Sequence, residues 1–265
     1  MSPDPALVDK ARRFEALHRA GAGAFLMANA FDGGSARLFE RLGFPALATS
    51  SGASAATLGK RDGGLSREQV LAHIRLVTAA TALPVSADLE NGFGDEPAQV
   101  GETIRLAAEA GSVGGSIEDY SGDPAAAIYD RDLAVRRIAA AVASARALDF
   151  PFTLTARCEN FLRGRPDLDD TIARLQDYER AGADVLFAPA LPDLDAVRRV
   201  TAALTKPFSF MVGMPGKSFS VATLTDAGVR RISFGGVFYQ VAMKAVTRAA
   251  RASLDAGSFA WVDEP

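Results

Sequence analysis

The chain has a single cysteine, Cys158, and two histidines, His18 and His73. One cysteine excludes an intrachain disulfide framework and fits a reducing compartment. Both histidines fall on expected helices, so neither a His-based metal cluster nor a Ser-His-Asp arrangement is supported. Charge of one sign is also missing: 29 basic residues stand against 32 acidic ones, a net of −3. That balance gives no electrostatic footprint for nucleic acid or an anionic membrane. No stretch reaches the ~18 uninterrupted apolar residues of a membrane span. Met1 to Lys10 carries Pro and Asp where an export signal has an apolar core. These absences predict a cytoplasmic globular protein.

What the chain does have is regular alternation. An apolar fraction of 48% over 265 residues is ample for one large core. Short apolar runs are expected as strands at Ala24–Asn29, Pro45–Thr49, Val85–Asp88, Gly114–Glu118, Phe152–Arg157, Val185–Ala188, Phe208–Val212 and Arg231–Phe234. Between them, helical spacing predicts helices over Ala6–Ala20, Ala36–Leu42, Ser66–Thr81, Pro97–Ala110, Leu133–Leu148, Leu168–Ala181, Leu194–Leu204, Ser220–Ala227 and Val237–Leu254. Strands and helices that alternate without a linker point to parallel strands joined by helical crossovers. Eight strands favour a closed (β/α)8 TIM barrel, here one domain over 1–265.

The stretch Pro84-Val-Ser-Ala-Asp-Leu-Glu-Asn-Gly-Phe-Gly94 organises the rest. Period-two alternation would aim Asp88 and Glu90 the same way if the strand runs that far. Two like charges ~4 Å apart at an effective dielectric near 20 repel by about 4 kcal/mol. A divalent cation such as Mg²⁺ relieves this, since hard oxygens suit it; the alternative is a polar turn with solvated charges. In barrels of this kind chemistry sits where strands end. There the chain places Ser50-Ser51-Gly52, Asp88 and Glu90, Glu118 and Asp119, and Arg157 and Glu159, with Asp62 in a long loop above them. A cation would offset the carboxylates, while Arg157 and the 51–53 backbone N–H groups would bind an anionic, oxygen-rich ligand. Cys158 follows Arg157 on the strand, so it reads as a small buried thiol facing away from the mouth.

These residues, in order and spacing, resemble the isocitrate lyase/phosphoenolpyruvate mutase superfamily. The likeness runs from Phe25 to Ala250 through Thr49-Ser-Ser-Gly52, Leu58-Gly-Lys-Arg-Asp62, Ala87-Asp-Leu-Glu-Asn-Gly-Phe-Gly94, Ser116-Ile-Glu-Asp119, Ala156-Arg-Cys-Glu159 and Ala181-Gly-Ala-Asp184. It implies a barrel whose final helix is exchanged between subunits of a homo-oligomer, a dimer or tetramer. It also implies a Mg²⁺-dependent site for a small 2-oxo carboxylate. Carried over, Asp88 matches the direct metal ligand, Glu118 a ligand through water, and Glu90 a position that is normally aspartate. Ser51, Gly52 and Ala53, with Ser50 beside them, match the turn that binds carboxylate and oxo oxygens. Asp62 matches an aspartate near the reacting group, and Arg157 the arginine at the substrate's other end. The implied chemistry is enolate stabilisation: C–C cleavage or decarboxylation of a 2-oxo or 2-hydroxy di- or tricarboxylate. Phosphonate C–P chemistry and binding without turnover are the alternatives. One loop departs. Lyases of the family carry Lys/Arg-Cys-Gly-His after strand four, whereas Tyr120–Asp130 here holds neither Cys nor His. The lyases' later glutamate and asparagine align with Pro189 and Met211. Tyr120 and Tyr129 become the candidates to move a proton.

Overall fold

The computed structural model describes residues 4–19, 21 and 23–263. Eight parallel strands close in sequence order into a barrel: β1 (Phe25–Asn29), β2 (Ala46–Ala48), β3 (Val85–Asp88), β4 (Gly114–Glu118), β5 (Thr153–Arg157), β6 (Val185–Phe187), β7 (Phe208–Met211) and β8 (Val229–Ser233). The closing pair joins β1 to β8, with Phe25 opposite Arg231 and Met27 opposite Ser233. It is a TIM barrel.

Helices α1 (Pro5–His18), α2 (Gly33–Arg41), α3 (Ser51–Thr57), α4 (Arg67–Ala80), α5 (Pro97–Glu109), α6 (Arg131–Arg146), α7 (Leu168–Arg180), α8 (Leu194–Ala202), α9 (Val221–Asp226) and α10 (Val237–Ala256) complete it. Their starts are written locally. Asp32 and Ser35 form a capping box on α2, and Ser66 and Gln69 another on α4. Ser35 therefore sits in the first turn of α2 and is not the residue before it. The first helix stops at His18, and Ala20, its expected end, lies outside the described residues. One helix was not expected. Residues 51–57 form α3, because Ser50 caps it and Ala53, Ala55 and Ala56 favour helix.

The main core lies between the strands and the ring of helices, around Ile74, Ile104, Ile117, Leu154, Leu175 and Val197. Each such side chain contributes roughly 2 kcal/mol through burial. Phe14 of α1 closes the end of the barrel opposite the candidate site. A Cβ on Gly114 would meet its ring at 2.7 Å, so that approach requires glycine. No helix among the described residues is long and apolar enough to cross a membrane. At the other extreme, α10 buries none of its twenty residues against this chain, and Val241, Val246 and Leu254 are more than half exposed.

The loop after β3 is tied down from α6. Arg137, buried, donates to the carbonyl oxygens of Asn91, Gly94 and Asp95 and lies over the Tyr129 ring at 4.1 Å. Arg137→Met should strand those carbonyls at a cost of about 3 kcal/mol. Urea denaturation measures this, and a loss below about 1 kcal/mol would show that the loop holds itself.

Candidate active site

Strand register assembles the site. Asp88 stands opposite Ser116, Ser116 opposite Thr155, and one row higher Glu118 faces Arg157 and Arg157 faces Phe187. Alternation then sends Asp88, Glu118 and Arg157 to the barrel interior. Two adjoining cavities open at this end, of about 470 and 290 Å³. Ser50, Gly52, Ala53 and Asp88 line the larger, Glu90 and Glu118 the smaller, and Ser51, Asp62 and Arg157 line both.

Two expectations about direction need correction. The strand stops at Asp88, and Glu90 adopts a left-handed φ of 49°, so it does not continue the alternation that would aim it with Asp88. Leu89, fully buried, takes the inward pull of the core instead. Asp119 does not belong to the rim. It is buried among Tyr178, Arg174 and the Glu159 backbone, with the Tyr178 hydroxyl donating to it at 2.6 Å.

Arg157 is the hub. Its Nη1 lies 3.4 Å from Glu118 and 4.0 Å from Asp88, and its Nε donates to Glu159. Arg163, from the turn after β5, pairs with Glu159 at 3.0 Å and Glu118 at 3.7 Å, and its guanidinium covers the Tyr120 ring at 3.6 Å. Sequence spacing did not single out Arg163. The only available signal was its place four residues after Glu159, the spacing of a helical ion pair. Asp88 also accepts from the Ser51 N–H at 2.9 Å, while the Ala53 N–H meets Ser50 Oγ at 3.4 Å. Of the three amides expected to face a ligand, Gly52's alone has no partner among the described residues. Asp62 packs on Gly52, where a Cβ would stand 3.3 Å from its carboxyl carbon.

Negative charge is in excess here. Five carboxylates (Asp62, Asp88, Glu90, Glu118 and Glu159) share two guanidinium groups. Burial drives Glu118 well above the usual carboxylate range, reinforced by Glu159 and Asp88 against the pull of Arg157. Burial, then Asp88 and Asp62, raise Glu90 to about 7. Its Oε1 is buried without a hydrogen-bond partner. No three His, Cys, Asp or Glu groups among the described residues converge as a ready metal cluster, because Arg157 stands between Asp88 and Glu118. The donor set is nevertheless one of hard oxygens, with an orphaned oxygen and uncompensated charge, and it fits a divalent cation.

The remaining candidates are accounted for. Burial pushes the Cys158 thiol up, so it is inert. His73 bonds Ser54 and the Phe31 carbonyl oxygen, and His18 lies at the barrel's closed end. The Tyr129 hydroxyl is held by Asp95 and Asn91 and is pushed up to about 12, chiefly by burial. Of the two tyrosines only Tyr120 lines a cavity.

Glu90 binds its proton more tightly folded than unfolded, so its charging erodes stability as pH rises from about 4.5 to about 7. Glu90→Gln should therefore make metal-free protein more stable at pH 8, by at most about 3 kcal/mol. The two proteins should match at pH 4. Thermal melts without divalent ions test this, and a gain equal at both pH values would refute it.

Comparison with known proteins agrees with this geometry. The phosphoenolpyruvate phosphomutase family profile matches residues 14–254. A solved structure from Burkholderia cenocepacia J2315, provisionally described as a lyase/mutase, is 51% identical, with a TM-score of 0.96 over 99% of this chain and 94% of that one. The 2-methylisocitrate lyase of Escherichia coli K12 is 35% identical over 65% of this chain and 60% of its own length. An oxaloacetate decarboxylase of Paraburkholderia xenovorans LB400 is 31% identical over 83% of this chain and 74% of its own. The chain belongs to the phosphoenolpyruvate phosphomutase family and is an enzyme of the wider isocitrate lyase/phosphoenolpyruvate mutase superfamily of lyases and mutases.

Proposed function

We propose that this enzyme cleaves the C–C bond beside the carbonyl of a small 2-oxo dicarboxylate, in the manner of an oxaloacetate decarboxylase, with Mg²⁺ as cofactor. The observation that carries the reading is Arg157 at the junction of two carboxylate-lined cavities at the strand ends. Asp88 would hold the ion, with Glu90 and Glu118 behind it through water. When bound, the ion supplies Lewis-acid stabilisation of charge on the keto oxygen.

The chain's own groups do the rest. Arg157 binds the anionic end of the substrate, held in place by Glu159. The Gly52 N–H offers a preplaced donor where negative charge develops. Asp62, on Gly52 and lining both cavities, stands beside the reacting group. As CO₂ leaves, the electron pair of the broken bond remains on the oxo-acid fragment, which then takes up a proton. The 120–130 loop, free of Cys and His, argues against methylisocitrate cleavage in its familiar form. The same loop supports a second reading, a 2-oxo-acid binder without turnover.

Incubation with oxaloacetate, phosphonopyruvate and methylisocitrate, with and without Mg²⁺, distinguishes these readings through pyruvate release above a free-metal control. Oxaloacetate turnover is expected, and Asp88→Ala should lower kcat/KM at least about a hundredfold. Turnover unchanged in that variant removes Asp88 as the ligand. Calorimetric binding of oxalate without turnover of any substrate favours the binder.

The reading extends to assembly. The bare apolar face of α10 supports a homo-oligomer, dimer or tetramer, in which this helix packs on a neighbouring subunit. Val246→Asp should shift the mass in solution toward monomer by light scattering. An unchanged mass would place the contact elsewhere.

A further inference from the structure

The larger cavity runs below the mouth to a charged residue that the site described above does not use. Arg231, on β8, lines that cavity yet is only 3% exposed. It lies two residues before Ser233, which also lines the cavity, and so roughly 7 Å deeper along the strand. Its Nε donates to Ser209 Oγ at 2.9 Å and its Nη2 to Thr155 Oγ1 at 3.0 Å, while its Nη1 faces His18 Nε2 at 3.4 Å. The other His18 nitrogen, Nδ1, meets the Phe14 carbonyl oxygen at 2.8 Å and so carries the ring proton. Nε2 is therefore an acceptor, and burial together with Arg231 lowers His18 to about 3, leaving it uncharged.

All three partners are neutral. Guanidinium has five N–H donors, so two remain without an acceptor among the described residues. Burial lowers Arg231 to about 9 with no acid to offset it, and it is still a cation at neutral pH. The other buried arginines differ. Arg174 pairs with Asp119 and Asp170, and Arg137 donates to three backbone carbonyls. A buried charge with no counter-ion is costly, and a planar donor pair suits a carboxylate. Ser86 and Ser116 add hydroxyls to the wall of the same cavity.

We propose that the floor of the larger cavity is a carboxylate-binding site with Arg231 as its counter-cation. The carboxylate is either the far arm of a di- or tricarboxylate seated at the mouth or a separate small acid. The first source rests on the reading of the mouth given above; the floor site itself does not.

Titration calorimetry on the Mg²⁺-loaded protein separates these cases, using oxalate, propane-1,2,3-tricarboxylate and acetate as probes against wild type, Arg231→Met and Arg231→Lys. If the far arm occupies the floor, Arg231→Met loses about ten- to a hundredfold in affinity for the tricarboxylate. Oxalate, too short to reach, changes less than about threefold, and Arg231→Lys recovers part of the loss. Acetate that raises the melting temperature of wild type and not of Arg231→Met assigns the floor to a separate acid. No difference between wild type and Arg231→Met with any probe overturns the site, even where oxalate still binds and the mouth reading stands. Failure of oxalate to bind wild type counts against the mouth, and the acetate comparison still decides the floor.

Discussion

One guanidinium holds the site together. Arg157 lies within ion-pair reach of Asp88, Glu118 and Glu159, three carboxylates from three chain segments that converge only because the barrel closes. Burial favours their neutral forms and Arg157 favours their charged ones, and the outcome differs by position. Glu118, wholly desolvated, is driven up despite two arginines. Glu90, less buried and farther from guanidinium, still rises to about 7. A pocket with more acid than base is primed to take up a cation, and that is the thermodynamic content of the carboxylate excess. The same crowd explains why Arg157 is not free to leave. It is the charge that keeps the mouth folded until a ligand or ion replaces it.

Much of this was legible before any coordinates. Eight alternations of short apolar runs with capped helices determine a barrel, since period and cap chemistry are local signals. Gly114–Glu118 was bounded to the residue, and the Ser66–Gln69 capping box was in place. What failed was anything depending on how a strand ends. Two-residue alternation carried Glu90 past the point where Leu89 is drawn into the core and the backbone turns left-handed. It also left Asp119 at the rim, although one residue beyond Glu118 must face the helices. The Ser50–Ser54 turn is a helix because alanine content outweighs the Ser/Gly signal. Arg163 and Arg231 were invisible as site residues for the same reason. Nothing in a single arginine's sequence neighbourhood says which charges its long side chain will reach.

The barrel's interior shows how the fold makes room for chemistry. Bulky branched residues in stacked layers ordinarily fill the inside of such barrels. Here the inward positions lining the cavity include Ser86, Ser116, Ser209 and Ser233, with Arg231 beneath. Small hydroxyls leave volume that isoleucine or valine would occupy, so a cavity of about 470 Å³ runs into the strands. Cohesion is supplied from outside, where Ile74, Ile104, Leu175 and Val197 pack the helices on the barrel wall, and from below, where Phe14 closes the far end. Polar lining and external packing are two halves of one arrangement. Because the outer shell carries the hydrophobic stabilisation, the inside is left free to hold charge, and the mouth and floor can select ligands by their carboxylates.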